Sequence, residues 1–295
     1  MMLFALNSQA QSSFFELSDT LHRGRLIGAS AFVGGTWTGS LIGLHQIWYA
    51  DNWGGEFQFF DDSKQWMQMD KVGHFYAGQL LAQRTSELYQ WSGVSSTKSR
   101  IIGSAISFGY LTSFEALDGQ AKDWGFSWSD VGANALGSGW YLWQDLLWQE
   151  QRFQLTFSAH LSPYAHYRPG VLGNSTASRL LKDYNGQTYW LSINPSRFMS
   201  KSHRFPKWLN FAIGYSVDEK LHGVKNNFSI TDAGGTALNF NAYRQYLFSL
   251  DIDLTQINVK SDFLKTVFSL FNHIKIPFPA LEVSKNGIRG YPIYF

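Results

Sequence analysis

The 295-residue chain contains no cysteine. Disulfides, thiolate metal ligands and cysteine nucleophiles are therefore excluded. Charge is scarce as well: 16% of the residues are Asp, Glu, Lys or Arg, against about 25% in ordinary soluble domains. No lysine- and arginine-rich run appears and the formal net charge is only +2, so nothing supports nucleic-acid binding. Gly-x-Ser-x-Gly does not occur, which removes the nucleophile-elbow signal. Aromatic residues, in contrast, are abundant: they make up 17% of the chain, with 12 Trp and 14 Tyr. Rings with a polar handle suit a membrane–water boundary, and an aromatic-rich soluble core is the plainer alternative.

Three short polar clusters interrupt otherwise apolar helical sequence. They are Asp70-Lys71-Val72-Gly73-His74, Glu115-Ala116-Leu117-Asp118 and Asp130-Val131-Gly132-Ala133-Asn134. Each pair has the spacing of one helix face, i,i+4 for Asp70/His74 and Asp130/Asn134, and i,i+3 for Glu115/Asp118. Charges in apolar helices are costly, so they tend to be paired and often functional. If the helices converge, three readings are open. In the first, His74 is a general base oriented by Asp70, with Glu115 as the acid partner. In the second, Glu115, Asp118, Asp130 and His74 hold a divalent metal, the one cofactor this donor set suggests, although the cluster lacks a second histidine. In the third the network is structural: Asp70 and Asp130 sit at helix starts, where Asp is a routine cap or first-turn residue, and Asn134 bridges helices.

The chain divides into a signal-like start (1–11), a helical membrane-associated domain carrying the polar cluster (12–150) and a β-rich region (151–295). Met1–Gln11 resembles the tail of a secretory signal peptide with its charged part missing, as a start assigned too far downstream would produce. No cysteine follows, so a lipoprotein anchor is not expected. Leu26–Ala50 carries no Asp, Glu, Lys or Arg and is long enough to cross a bilayer; a buried bundle helix would look much the same. Trp48 and Tyr49 stand like an interfacial anchor, and Gly35, Gly39 and Gly43 repeat at the spacing that lets helices approach closely. Ser63 or Asp62 is expected to cap a following helix. Further helices are predicted over 70–91, 100–117 and 130–148, the last capped by Ser127 or Ser129. Gly137-Ser138-Gly139 reads as close packing.

Beyond residue 150 the period becomes two. Alternation at Phe153–Leu161, Tyr189–Ile193, Leu209–Tyr215 and Tyr246–Leu254 predicts antiparallel strands with one apolar face. A short helix follows from Asp262 to His273, capped by Ser261, and extended pieces are expected at 278–283 and 291–295. The closing Tyr291–Phe295 resembles the C-terminal signal of outer-membrane β-barrels, yet too few strands are visible for a complete barrel. The fold class is thus α+β: about four apolar helices, then an antiparallel sheet or partial barrel with one short helix.

Asp70-Lys71-x-x-His74-Phe75-x-x-Gly78, Glu115 with Asp118, and Asp130-x-x-x-Asn134-x-x-Gly137 together resemble the YfiM-like family of predicted periplasmic lipoproteins. That family is itself similar to VanZ-like membrane proteins, and the β-rich remainder looks like the longer version of Bacteroidota envelopes. The resemblance spans about residues 65–148. It implies a cell-envelope location, outer membrane or periplasmic face, and one cluster formed by Asp70, Lys71, His74, Glu115, Asp118, Asp130 and Asn134; it implies no settled activity. The sequence thus leads to a non-enzymatic structural or assembly component whose partners are membrane lipid and other envelope proteins. The alternative is a metal-dependent or acid/base hydrolase or transferase acting on a lipid-linked substrate.

Overall fold

Small residues decide how the helices meet. In the computed structural model, which describes residues 15, 17–46, 53–122, 124–200, 204–231 and 234–295, helix α1 spans Arg23–Leu44. It is followed by α2 (Met69–Trp91), α3 (Ser96–Asp118) and α4 (Trp128–Trp148). Where α2 crosses α4, Gly78 lies so close to Asn134 that an added Cβ would come within 2.9 Å of its carbonyl oxygen, and one at Gly137 would overlap the carbonyl of Phe75. Where α2 crosses α3, a Cβ at Gly103 would come within 2.5 Å of the Ala82 carbonyl. The side chains buried in this bundle are largely small and polar: Ser86, Ser99, Ser104, Ser107, Asn134 and Ser138. Ser107 donates to the Gly78 carbonyl at 2.8 Å, and Ser138 to Ser107 at 3.1 Å. Hydrogen bonds and close backbone approach hold α2, α3 and α4 together where large aliphatic side chains would be expected to.

Helix α1 departs from expectation. Among the described residues no helix is long and apolar enough to cross a membrane, because the Thr, Ser and Gly residues of α1 dilute its hydropathy. Its glycine repeat meets no neighbour: Gly35, Gly39 and Gly43 face open space. Contact with the bundle runs instead through polar groups, Trp37 Nε1 to Ser113 at 3.1 Å and Tyr110 to Ser40 at 2.9 Å. The signal-like Met1–Gln11, the Trp48–Tyr49 pair, Asp123 and His203 lie outside the described residues.

The β half contains strands β1 (Phe153–Ala159), β2 (Gln187–Ile193) and β3 (Leu209–Asp218). Then come β4 (Asn227–Thr231), β5 (Ala237–Asn241) and β6 (Tyr243–Ile252). The last two are β7 (Phe278–Ser284) and β8 (Gly287–Tyr294). Six of them form one antiparallel sheet in the order β1-β2-β3-β6-β7-β8, and β4-β5 is a separate hairpin. Two short helices, α5 (Pro169–Leu172) and α6 (Thr176–Lys182), fill the β1–β2 connection. Helix α7 (Asp262–Phe271), capped by Ser261 as expected, precedes β7. The sheet is not a closed barrel, but it curls: Tyr294 of β8 reaches Thr188 of β2 at 3.1 Å and packs edge-on against Trp190, although three strands lie between. Its concave face carries Thr156, Ser192, Asn210, Gln245, Asp251 and Glu282, all buried, around an apolar cluster of Trp190, Ala212, Leu247, Ala280 and Tyr294. Asp251 accepts from Ser192 at 2.5 Å and Thr156 at 3.2 Å. The opposite face is apolar. Its β1–β2 end packs on α2 through Tyr76, Phe157 and Tyr189.

Candidate functional site

A strained turn aims the first residues of the site. Trp66, Met67 and Gln68 are consecutive non-glycine residues with φ of 48°, 53° and 66°, a conformation that costs energy at each position unless the surroundings enforce it. The β half supplies the enforcement. Trp66 N–H donates to the Gly223 carbonyl at 2.8 Å, Tyr215 Oη donates to the Met67 carbonyl, and Arg244 donates to Gln68 Oε1 at 2.7 Å. Met69, fully buried, then opens α2 and places Asp70 in its first turn.

Three helix ends meet here. Ser127 caps α4 by accepting from the Asp130 amide at 3.1 Å, so Asp130 is a first-turn residue and not the cap. Glu115 and Asp118 come from the last turn of α3. Lys71 Nζ sits among three carboxylates, 2.7 Å from Asp62, 2.9 Å from Asp70 and 2.7 Å from Asp130. His74 Nδ1 lies 2.9 Å from Asn134 Oδ1 and 3.8 Å from Glu115; its Nε2 lies 3.6 Å from Asp130 and 3.8 Å from Asp70. With Asn134 Oδ1 as acceptor, Nδ1 carries the proton and Nε2 faces the two aspartates.

The six residues Asp70, Lys71, His74, Glu115, Asp130 and Asn134 therefore share one contact network. Asp118 lines the same cavity and adds negative charge beside Glu115. Sequence reasoning missed several members. Asp62 does not cap a helix; it accepts from Ser127 at 2.6 Å and Ser129 at 2.8 Å and pairs with Lys71. Tyr184, from the β1–β2 connection, donates to Asp70 Oδ1 at 2.7 Å. No spacing rule links residue 184 to residue 70.

Acids outnumber bases, and the surroundings treat them differently. Burial alone would raise Asp70, but the charges of His74 and Lys71 and hydrogen bonds from Lys71 and Tyr184 more than offset it and hold the carboxyl below its usual value. Burial raises Asp130 to about 7; the neighbouring Asp70 adds to this, while His74 and Lys71 oppose it. Burial, then the charges of Asp130, Asp118 and Asp70, push Glu115 up to about 9; its place at the negative end of α3 acts in the same direction. The Lys71 ammonium is held above its usual value by Asp70 and Asp130, against its own burial.

A pH-dependent stability follows. Glu115 retains its proton in the folded state, with its value raised from 4.5 to about 9. The stability it contributes is present below about 4.5 and is lost as pH rises through about 9. Glu115→Gln, which cannot ionise, should match the parent near pH 4.5 and exceed it progressively above, by roughly 2 kcal/mol or about 5 °C in Tm at pH 8. Thermal melts between pH 4.5 and 9 measure this directly; a pH-independent difference would contradict the assignment.

The cluster forms the floor of a cavity of about 930 Å³ whose walls include Phe60, Trp66, Phe114, Trp124, Val171 and Leu181. Asp70, His74 and Asp130 each present a ligand atom within 4.8 Å of one another, the set that could hold a metal ion. The Lys71 ammonium already pairs with both aspartates of that set.

The fold and site thus define a polar-cored helical bundle joined to a curled sheet, with an acid-rich cavity where three helix ends and the β half meet. Residues 56–144 match the model of a family described as predicted periplasmic lipoprotein (DUF2279). The match covers less than a third of the chain but includes every member of the network except Tyr184. Its description agrees with the cell-envelope location expected from the sequence. No curated protein and no solved structure matches the chain.

Proposed function

We propose that this envelope protein is an acid/base hydrolase or transferase acting on an amphiphilic, lipid-linked substrate. One observation carries the reading: two carboxyl groups on either side of one imidazole are pushed in opposite directions. Asp70 is held ionised and Glu115 is held protonated at neutral pH, with His74 3.8 Å from each. Environments that split like groups into an anion and an acid are the usual preparation for proton transfer. His74, oriented by Asn134, would take a proton from water or a substrate hydroxyl at Nε2, and Glu115 would supply one to the leaving group. The aromatic and aliphatic walls would receive the apolar part of the substrate.

A second reading has its own support. Lys71 satisfies three of the acids by direct ion pairs, as a scaffold for an assembly component would require. The two readings separate in one experiment. The purified chain is incubated with an envelope lipid extract and products are followed by mass spectrometry, using the parent, His74→Ala and Glu115→Gln. The enzyme reading expects a product that falls at least about 100-fold in His74→Ala at unchanged Tm. Identical extracts for all three, with Tm lowered in His74→Ala, would leave the scaffold reading. Loss of product with EDTA and its return with a divalent cation would assign Asp70, His74 and Asp130 to a metal.

A further inference from the structure

Both halves of this protein bury polar side chains and expose large apolar ones. In α4, Asp130, Asn134, Ser138 and Gln144 are buried while Leu136, Leu146 and Leu147 are exposed. In α3, Ser99, Ser104 and Ser107 are buried while Ile101 and Phe108 are exposed. The sheet repeats the pattern. In register across β3 and β6, Ala212 and Ser249 pair on the concave side, while Ile213 and Phe248 pair on the convex side and both are exposed. The row continues outward to Leu281 of β7, likewise exposed, which pairs with Gly290 of β8. Helix α7 has no buried residue, and its Phe263, Leu270 and Phe271 are exposed.

We propose that the convex face of the sheet, centred on Phe211, Ile213, Tyr246, Phe248 and Leu281, is immersed in the acyl-chain region of an envelope bilayer. A water-soluble sheet with one solvated face turns its polar side outward; a sheet in lipid does the reverse. The occupant is lipid and not a single protein partner because the reversal is not confined to one patch. It recurs on α3, α4 and α7, so the apolar medium must reach several sides of the molecule. The backbone groups on the outer edge of β8 need water or headgroups. The sheet therefore enters one leaflet by its face and does not cross.

The absence of cysteine makes the test clean. Phe248→Cys and, as control, Asn227→Cys on the exposed hairpin strand β4 are each labelled with an environment-sensitive fluorophore. The full chain is then mixed with vesicles of phosphatidylethanolamine and phosphatidylglycerol. At position 248, emission should shift to the blue and iodide quenching should fall by about fivefold on vesicle addition, with quenching by brominated acyl chains; position 227 should stay accessible. Equal iodide quenching at 248 with and without vesicles would overturn the proposal. So would protection at 248 that grows with protein concentration in the absence of lipid, the signature of a second copy on this face. Phe211→Cys repeats the measurement at a second site on the same face, so that a folding defect in one variant does not decide the outcome.

Discussion

Lys71→Met should lower the melting temperature by roughly 10 °C at pH 7.5, corresponding to about 3–5 kcal/mol for a broken buried ion pair in a chain of this size. Among the described residues, the ammonium is the only side chain within ion-pair distance of Asp62, Asp70 and Asp130 together. Removing it strands three carboxylates at the junction of three helix ends, and methionine fills the volume without supplying charge. The pH dependence distinguishes this mechanism from simple misfit. Asp62 and Asp70 are held below their usual value in the folded protein. The stability they contribute is present above about 3.8 and is lost as pH falls through their lowered values. The gap between parent and variant should therefore be widest above pH 5 and close as the acids become protonated below it. Adding Asp130→Asn to Lys71→Met should recover part of the loss at pH 7.5, since Asp130 already sits near neutrality at about 7. A gap that is constant from pH 4 to 8 would mean that packing, and not charge, sets the cost.

Gly137→Ala should be nearly as damaging, with a loss above about 3 kcal/mol. A single methyl at this position would overlap the backbone carbonyl of Phe75, and a backbone atom cannot swing aside as a side-chain tip can. Relief would require α2 and α4 to separate, which would pull His74 from Asn134. Gly139, two residues on, supplies the internal control: an added Cβ there meets nothing within 4 Å. Gly139→Ala should be neutral or stabilising by up to about 1 kcal/mol through helix propensity alone. Chemical denaturation of the two variants tests the claim, and equal effects would remove the crossing from the account of the site.

The outcome at Gly137 also shows what the sequence made readable. The helical half was legible because its signals are local: caps at Ser127 and Ser261, same-face pairs at Asp70/His74 and Asp130/Asn134, and a Gly-Ser-Gly step that does mark a close crossing. Identical local signals misled at α1, where the Gly35, Gly39 and Gly43 repeat faces open space. Spacing states which residues share a face; it does not state whether anything lies opposite. The main strands were legible from their alternation, whereas the hairpin β4-β5 and helices α5 and α6, being short, carried no clear period. The sequence correctly indicated an apolar face on the strands. That the polar face is the buried one depends on the curl of the sheet, which brings Tyr294 to Thr188 across three intervening strands. Within the site, Asp62, read from sequence only as a helix cap, and Tyr184 were not placed for the same reason: Asp62 is held by Ser127 and Ser129 and Tyr184 by Asp70, partners distant in sequence and fixed by tertiary contacts.

The three left-handed residues before α2 carry a consequence for how the two halves depend on each other. Trp66, Met67 and Gln68 keep their backbone only while Gly223, Tyr215 and Arg244 hold it. Freed from them, the turn would relax to a cheaper conformation and Asp70 would lose its direction along with its tyrosine partner. The sheet is thus a clamp as well as a wall, and the family-matched segment cannot arm its own acids. A bundle cut from this chain would keep the residues and lose their aim, so charge and fold are inherited here as a unit.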